Sequence, residues 1–211
     1  MSDAVGDSTP RPEYQARVGD DGRTVLGRHG DVPKFDPRVA AWGDCDEANA
    51  AISVALAVSG FSIDLTSTLA SIQNDLFDLV TDLAVPLDDP QPADARIRDA
   101  HLVRLERAIE HFAKEAPEPE GYVLPVGTVP AATLYQARAV VRRAERTVWM
   151  AIDAHPGAVN VLAARYLNRL STLLFAMARG ANIEHGDVYW EPEATFHAME
   201  REAEEPIEPL E

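Results

Sequence analysis

Residues 64–86 read DLTSTLASIQNDLFDLVTDLAVP, and this stretch decides the fold. Leu65, Leu69, Ile72, Leu76, Leu79 and Leu83 recur at spacings of three and four, the period of a helix with one buried face. Such a stripe needs apolar partners, and the chain offers them on both sides. Upstream, Asp36-Pro37 supplies an N-cap and a proline at the first helical position, opening a helix that runs to about Val58 and stops at Ser59-Gly60. Gly43 is read as an interruption of that helix or a point of close approach. Downstream, Pro86 ends the central helix, and the polar DDPQPAD at 88–94 leads to the next.

Three more helical patterns follow. One covers 95–114, with Ile97, Leu102, Leu105, Ile109 and Phe112 on its buried side. The next runs from about Pro130 to Ala154 and stops at His155-Pro156-Gly157. The last covers 158–183, with Leu167, Leu170, Leu174 and Met177 as its apolar stripe. The predicted fold is all-α: a bundle of about five helices with short connections, neighbours mainly antiparallel, and no strand. Residues 1–13 are read as a disordered tail and 14–190 as one helical domain. Residues 191–211, with eight Glu against Arg201 alone, are read as a solvated acidic tail.

Composition narrows the function. The chain has 211 residues and a formal net charge of −16, which argues against nucleic acid or an anionic membrane surface as partner. One cysteine, Cys45, cannot close an internal disulfide. No apolar run approaches the roughly 20 residues that span a bilayer. The polar MSDAVGDSTPRPEY start lacks the features of a signal peptide, so a cytoplasmic location is expected.

Within this acidic chain lies a basic island. Between 138 and 179 stand Arg138, Arg142, Arg143, Arg146, Arg165, Arg169 and Arg179, against Glu145 and Asp153 alone. Arg138, Arg142 and Arg146 are four apart and share a helical face. Guanidinium groups bind phosphate oxygens through paired hydrogen bonds, so the row suits a polyphosphate. It equally suits an interface row paired with carboxylates of neighbouring helices. The opening segment ARVGDDGRTVLGRHG at 16–30 offers four glycines and backbone N–H donors for an anion, but has no P-loop spacing. Asp46, Glu47 and Asn49 sit in an otherwise apolar helix, with an arginine of the row as the expected partner. Asn168 and Thr172 form a polar line beside the last stripe. Cys45 is read as packing. The six histidines are scattered, and no protein-bound metal is expected.

Taken together, RVGDDGRTVLG at 17–27, VPKFDPRVAAWGDCDEANAAI at 32–52, IQNDLFDLVTDLA at 72–84, YVLPVG at 122–127, ARAVVRRAER at 137–146 and YLNRLSTLLFAMAR at 166–179 resemble, in order and spacing, the PduO-type cobalamin adenosyltransferases. The resemblance covers about Tyr14 to Trp190. It implies a ferritin-like five-helix bundle assembled as a homotrimer, with sites between subunits. It also implies attack of Co(I) of cobalamin on C5′ of ATP, with expulsion of triphosphate held by Mg²⁺. By the same resemblance, Arg17, Gly19, Asp20, Gly22, Thr24, Lys34 and Arg138 bind ATP. Arg142, Glu145, Arg146 and Asn168 are catalytic, and Asp46 pairs with Arg142 of a neighbouring subunit. Tyr122 takes the place of an aromatic that displaces the lower axial ligand of cobalamin. Tyr122 stands where Phe is usual, so its hydroxyl is expected to need a partner. Ala16, Val126 and Thr172 also depart from the family pattern. The implied partners are ATP, cob(I)alamin, a reductase and an adenosylcobalamin-dependent mutase. Intact Arg142, Glu145, Arg146 and Asn168 favour an enzyme. The departures favour a paralogue that binds nucleotide or corrinoid on the same bundle without efficient turnover.

Overall fold

A computed structural model describes residues 18–116 and 118–197. Five α-helices carry the core: α1 (Pro37–Val58), α2 (Ile63–Leu83), α3 (Asp99–Phe112), α4 (Val129–Ala154) and α5 (Val161–Gly180). The central stripe behaves as its period requires, with Leu65, Leu69, Ile72, Leu76, Leu79 and Leu83 all buried. They meet Ala41, Cys45, Ala48 and Ile52 of α1, Leu102 and Leu105 of α3, Val141 and Ala144 of α4, and Leu167, Leu170 and Leu174 of α5. Cys45 is buried, and burial with the Asp44 carboxylate nearby pushes its thiol well above the ordinary range, so it packs rather than reacts. No helix among the described residues is long and apolar enough to cross a membrane.

Four features differ from the sequence expectation. Gly43 does not interrupt α1: nothing lies within 4 Å of the Cβ it lacks, and Ala41 and Cys45 on either side are held in the core. Helix α3 begins at Asp99, not at 95. The Asp82 carboxylate accepts from the Ile97 N–H (3.0 Å) and from Arg96 (2.5 Å), holding that stretch extended. Helix α5 is shorter at both ends. Asn160 caps it by accepting from the Leu162 N–H (3.0 Å), and the chain turns at Asn182. The absence of strands is also corrected. Arg23–Val25 (β1) pairs antiparallel with Asp31–Pro33 (β2) across a 3₁₀ turn at Gly27–His29.

Neighbouring helices are antiparallel except α3 and α5, which run parallel because α4 crosses between them. Their starts meet where Asn160 Nδ2 donates to the Ile97 carbonyl (2.9 Å), and their middles meet at the Arg169–Glu106 pair (2.6 Å). At one end of the bundle lie the starts of α1, α3 and α5 and the ends of α2 and α4, with the β1–β2 hairpin docked on them. The other end carries the start of α4, capped by Thr128. Its Oγ1 accepts from the Ala131 N–H (3.3 Å) and donates to the Ala181 carbonyl (3.1 Å). Thr128→Ala therefore loses a cap and a tether, and should cost about 1–2 kcal/mol in urea unfolding at fixed protein concentration.

Candidate active site

The opening segment folds into a cradle. Gly19 (φ 82°) and Gly22 (φ 79°) occupy the left-handed region, and the Gly22 N–H donates to the Gly19 carbonyl (3.1 Å). The Lys34 N–H donates to the Gly22 carbonyl (2.8 Å), which brings the lysine back beside the turn. A Cβ at Gly19 would lie 2.8 Å from the Arg23 carbonyl oxygen, a backbone atom of the hairpin, so this left-handed turn position requires glycine. Gly19, Thr24 and Lys34 line an open cavity of about 510 Å³ together with Val18, Arg23 and Asp31. Asp20 is exposed on the same turn. Of the expected ATP-binding residues, Gly19, Asp20, Gly22, Thr24 and Lys34 thus come together. Arg17 and Ala16 lie outside the described residues.

A second group forms along the seam of α4 and α5. Asn168 Nδ2 donates to Glu145 Oε1 (3.2 Å), and Arg146 Nη1 donates to the Arg142 carbonyl (3.0 Å). Arg142, Glu145, Arg146 and Asn168 therefore occupy one patch. Arg142 is exposed and has no side-chain partner among the described residues. Arg138 is half-buried with its guanidinium 5.1 Å from the Phe175 ring centroid. Burial, and then the Arg142 cation, lower its pKa from the ordinary arginine value. Three arginines in a row without one carboxylate among their side-chain partners make a surface that seeks an external polyanion.

The acids of α1 sort themselves differently from the expectation. Glu47 and Asp44 both pair with Arg143, which neighbours the row on α4 but is not part of it. Asn49 is buried and its amide exchanges hydrogen bonds with Gln73 of α2. Asp46 is exposed and has no partner among the described residues. Around it, α1 turns outward Trp42 (39% exposed), Ala50, Val54 (52%) and Ala57, an apolar face on a helix whose opposite face is already in the core.

Tyr122 lies at the far end of the bundle from the cradle and is 79% exposed. The backbone clamps it to a strap near the chain's end, where the Trp190 N–H donates to the Tyr122 carbonyl and the Leu124 N–H to the Val188 carbonyl (both 2.8 Å). Its ring meets Trp190 edge-on, centroids 6.0 Å apart. Among the described residues its hydroxyl has no hydrogen-bond partner, and water can reach it at this exposure. The strap is fastened by Asp187, which accepts from Arg179 (2.6 Å) and raises the guanidinium pKa. Thr172 lines a neighbouring cavity of about 290 Å³ with Phe175, Ala176 and Arg179.

Asp75, Asp78 and His101 offer ligand atoms within 4.8 Å of one another, a grouping that scattered histidine spacings did not foretell. It is not built for a metal. His101 Nδ1 accepts from the Arg98 N–H (3.1 Å), which leaves the ring proton of a neutral imidazole on Nε2, facing Asp78. Asp75 is taken by Arg104 and by the buried Tyr166 hydroxyl (2.8 Å).

A glycine cradle with a lysine, an arginine row without carboxylate partners among the described residues and an exposed aromatic, all on a helical bundle, suit the class of proteins that bind a phosphorylated ligand. Relatives bear out that class. The cobalamin adenosyltransferase family model matches residues 14–181. A corrinoid adenosyltransferase of Mycobacterium tuberculosis is 48% identical over 177 residues, spanning 83% of this chain and 91% of that one. One from Bacillus subtilis is 39% identical over 184 residues, spanning 84% and 92%. The solved structure of a variant PduO-type ATP:corrinoid adenosyltransferase from Lactobacillus reuteri, complexed with cobalamin and ATP, matches at a TM-score of 0.76 and 31% identity. It covers 85% of this chain and 100% of that one. The chain belongs to the cobalamin adenosyltransferase family.

Proposed function

We propose that this protein transfers the 5′-deoxyadenosyl group of ATP to cob(I)alamin, giving adenosylcobalamin and triphosphate. The observation that carries the reading is the patch of Arg142, Glu145, Arg146 and Asn168, whose two cations have no carboxylate partner among the described residues. The Co(I) lone pair forms the Co–C5′ bond as the C5′–O bond breaks, and triphosphate departs with that bond's electrons. Charge grows on the leaving oxygen, so preorganised cations aimed there lower the barrier. The Mg²⁺ that travels with the triphosphate adds to the same effect. Gly19, Asp20, Gly22, Thr24 and Lys34 hold the nucleotide together with Arg17 and Arg138. Tyr122 stands against the corrinoid, where an aromatic keeps the lower axial ligand away.

The working form is a homotrimer in the cytoplasm, with residues 14–190 as the catalytic unit and each site built at a subunit boundary. Among the described residues no hydrogen bond or ion pair joins the cradle to the arginine patch, and the side chains of Asp46 and Arg142 each lack a partner. Supply of Co(I) requires a reductase, and an adenosylcobalamin-dependent mutase is the natural acceptor of the product. Anaerobic assay of chemically reduced cobalamin with MgATP is expected to give a light-sensitive product with the adenosylcobalamin spectrum. Corrinoid binding by calorimetry with no product at millimolar ATP would leave only a binding paralogue.

A further inference from the structure

The hairpin that carries the nucleotide cradle is fastened to the bundle by a small cluster of ionisable groups that the transferase reading does not use. His29, in the turn between β1 and β2, reaches two helices at once. Its Nε2 donates to the Leu83 carbonyl at the end of α2 (3.1 Å), and its Nδ1 accepts from Arg38 Nη1 on the first turn of α1 (2.9 Å). Arg38 in turn grips the buried Asp36 through Nε (3.0 Å) and Nη2 (2.8 Å), and Asp36 Oδ1 also caps the helix by accepting from the Arg38 N–H (2.9 Å). From the end of α4, His155 brings Nε2 to 3.3 Å from Asp36 Oδ1. Lys34 sits between hairpin and helix, two residues before Asp36.

We infer that His29 is a positioning residue for the nucleotide: as a neutral ring it latches the cradle-bearing hairpin to the ends of α1 and α2, and on protonation it lets the hairpin go. This rests on the reading of the cradle as the ATP site. A proton added at Nδ1 would remove the acceptor for Arg38 and place two cations against each other, because a guanidinium has donors only. The groups facing the ring are Arg38 and His155, which oppose its protonation, and Asp36 and the Leu83 carbonyl, which favour it. Burial first, and then Arg38, outweigh the favourable pair and hold the ring below its ordinary value. Docking therefore favours the neutral ring. Its contribution is complete above the undocked histidine pKa of about 6.5 and is lost as pH falls below it. Other ties persist, including the Arg28 N–H to the Ala84 carbonyl (2.9 Å) and the Arg28 side chain to Asp89 (3.1 Å). The hairpin is thus loosened rather than unfolded.

Two measurements test the inference, one of which needs no activity. Hydrogen exchange of residues 23–33 in the ligand-free protein, corrected for intrinsic rates, should accelerate between pH 7.5 and 6.0 in the wild type. In His29→Ala it should be fast at both. In steady-state kinetics, KM for ATP should rise on the acid side with a smaller change in kcat. His29→Gln, which keeps a donor for Leu83 but cannot titrate, should flatten that rise, and His155→Asn should not. His29→Ala should raise KM at pH 7.5 about five-fold or more, from the loss of two hydrogen bonds. Equal exchange in 23–33 at both pH values would overturn the latch whatever the protein's activity. So would an acid-side rise in KM that survives His29→Gln or disappears in His155→Asn.

Discussion

Arg142→Ala and Arg146→Ala are each expected to lower kcat by about 10²–10³-fold or more, the usual cost of removing a group aimed at developing negative charge. Helical circular dichroism should be unchanged. Neither side chain holds the fold together: Arg142 has no side-chain partner among the described residues, and Arg146 makes one bond to a backbone carbonyl on its own helix. Surface substitutions of this kind usually change stability by less than about 0.5 kcal/mol. Arg143→Ala supplies the contrast. Its guanidinium is spent on Glu47 and Asp44, so its loss should cost at most about 1 kcal/mol of stability and leave kcat near normal. A parallel fall of kcat and kcat/KM in the first two variants would mark an interaction made in the transition state, whereas a rise in KM alone would mark ground-state binding. Turnover near normal in both would remove the row from the mechanism.

The helices were legible because their information is periodic and local. The Leu65–Leu83 stripe repeats often enough to define a face, and Asp36-Pro37 and His155-Pro156-Gly157 mark boundaries with residues that act on their own backbone. The hairpin was not legible, since strands of three residues are too short to show alternation. Nor was the start of α3, where Ala95–Arg98 has a helical composition. A carboxylate from α2, fifteen positions earlier, takes the Ile97 N–H and keeps that stretch extended. Tertiary hydrogen bonding overrode local preference there.

The candidate site divides in the same way. The spacing of Arg138, Arg142 and Arg146 gave a shared face at once, and the structure adds that Arg138 lies over Phe175 while Asn168 reaches Glu145. The glycines announced a turn, and the positive φ of Gly19 with its close approach to the Arg23 carbonyl explains why one of them has to be glycine. His29, Arg38, Asp36 and His155 carried no such pattern. Their contacts join a turn, the first turn of one helix and the last of another, and only the assembled chain end brings them together. Trp190 closed the expected domain, but no spacing paired it with Tyr122, 68 positions earlier.

Asp46→Ala is expected to weaken the proposed trimer severely, dissociating it at low micromolar concentration and lowering activity with it. The three acids on this stretch of α1 do not share one fate. Asp44 and Glu47 both find Arg143 within the chain, while Asp46 points from the outward face beside Trp42 with no partner among the described residues. On α4, Arg142 is left over in the same way. A carboxylate takes two of the five guanidinium donors, which leaves the others for phosphate oxygens. Pairing Asp46 of one subunit with Arg142 of the next would therefore satisfy both and close the arginine patch against the neighbour. It would also cover the apolar Ala50, Val54 and Ala57 face. Removing one partner from an ion pair buried in this way costs about 3–5 kcal/mol, because the remaining charge stays desolvated and alone. Sedimentation of the wild type should give three times the chain mass, and Asp46→Ala should shift toward the monomer on dilution. Exchanging the charges, Asp46→Arg with Arg142→Asp, should recover assembly without turnover, since the phosphate-facing donors would then stand on the wrong helix. A wild-type monomer at micromolar concentration would dismiss the boundary site altogether. A fully trimeric and active Asp46→Ala would leave the trimer but remove this pair from it.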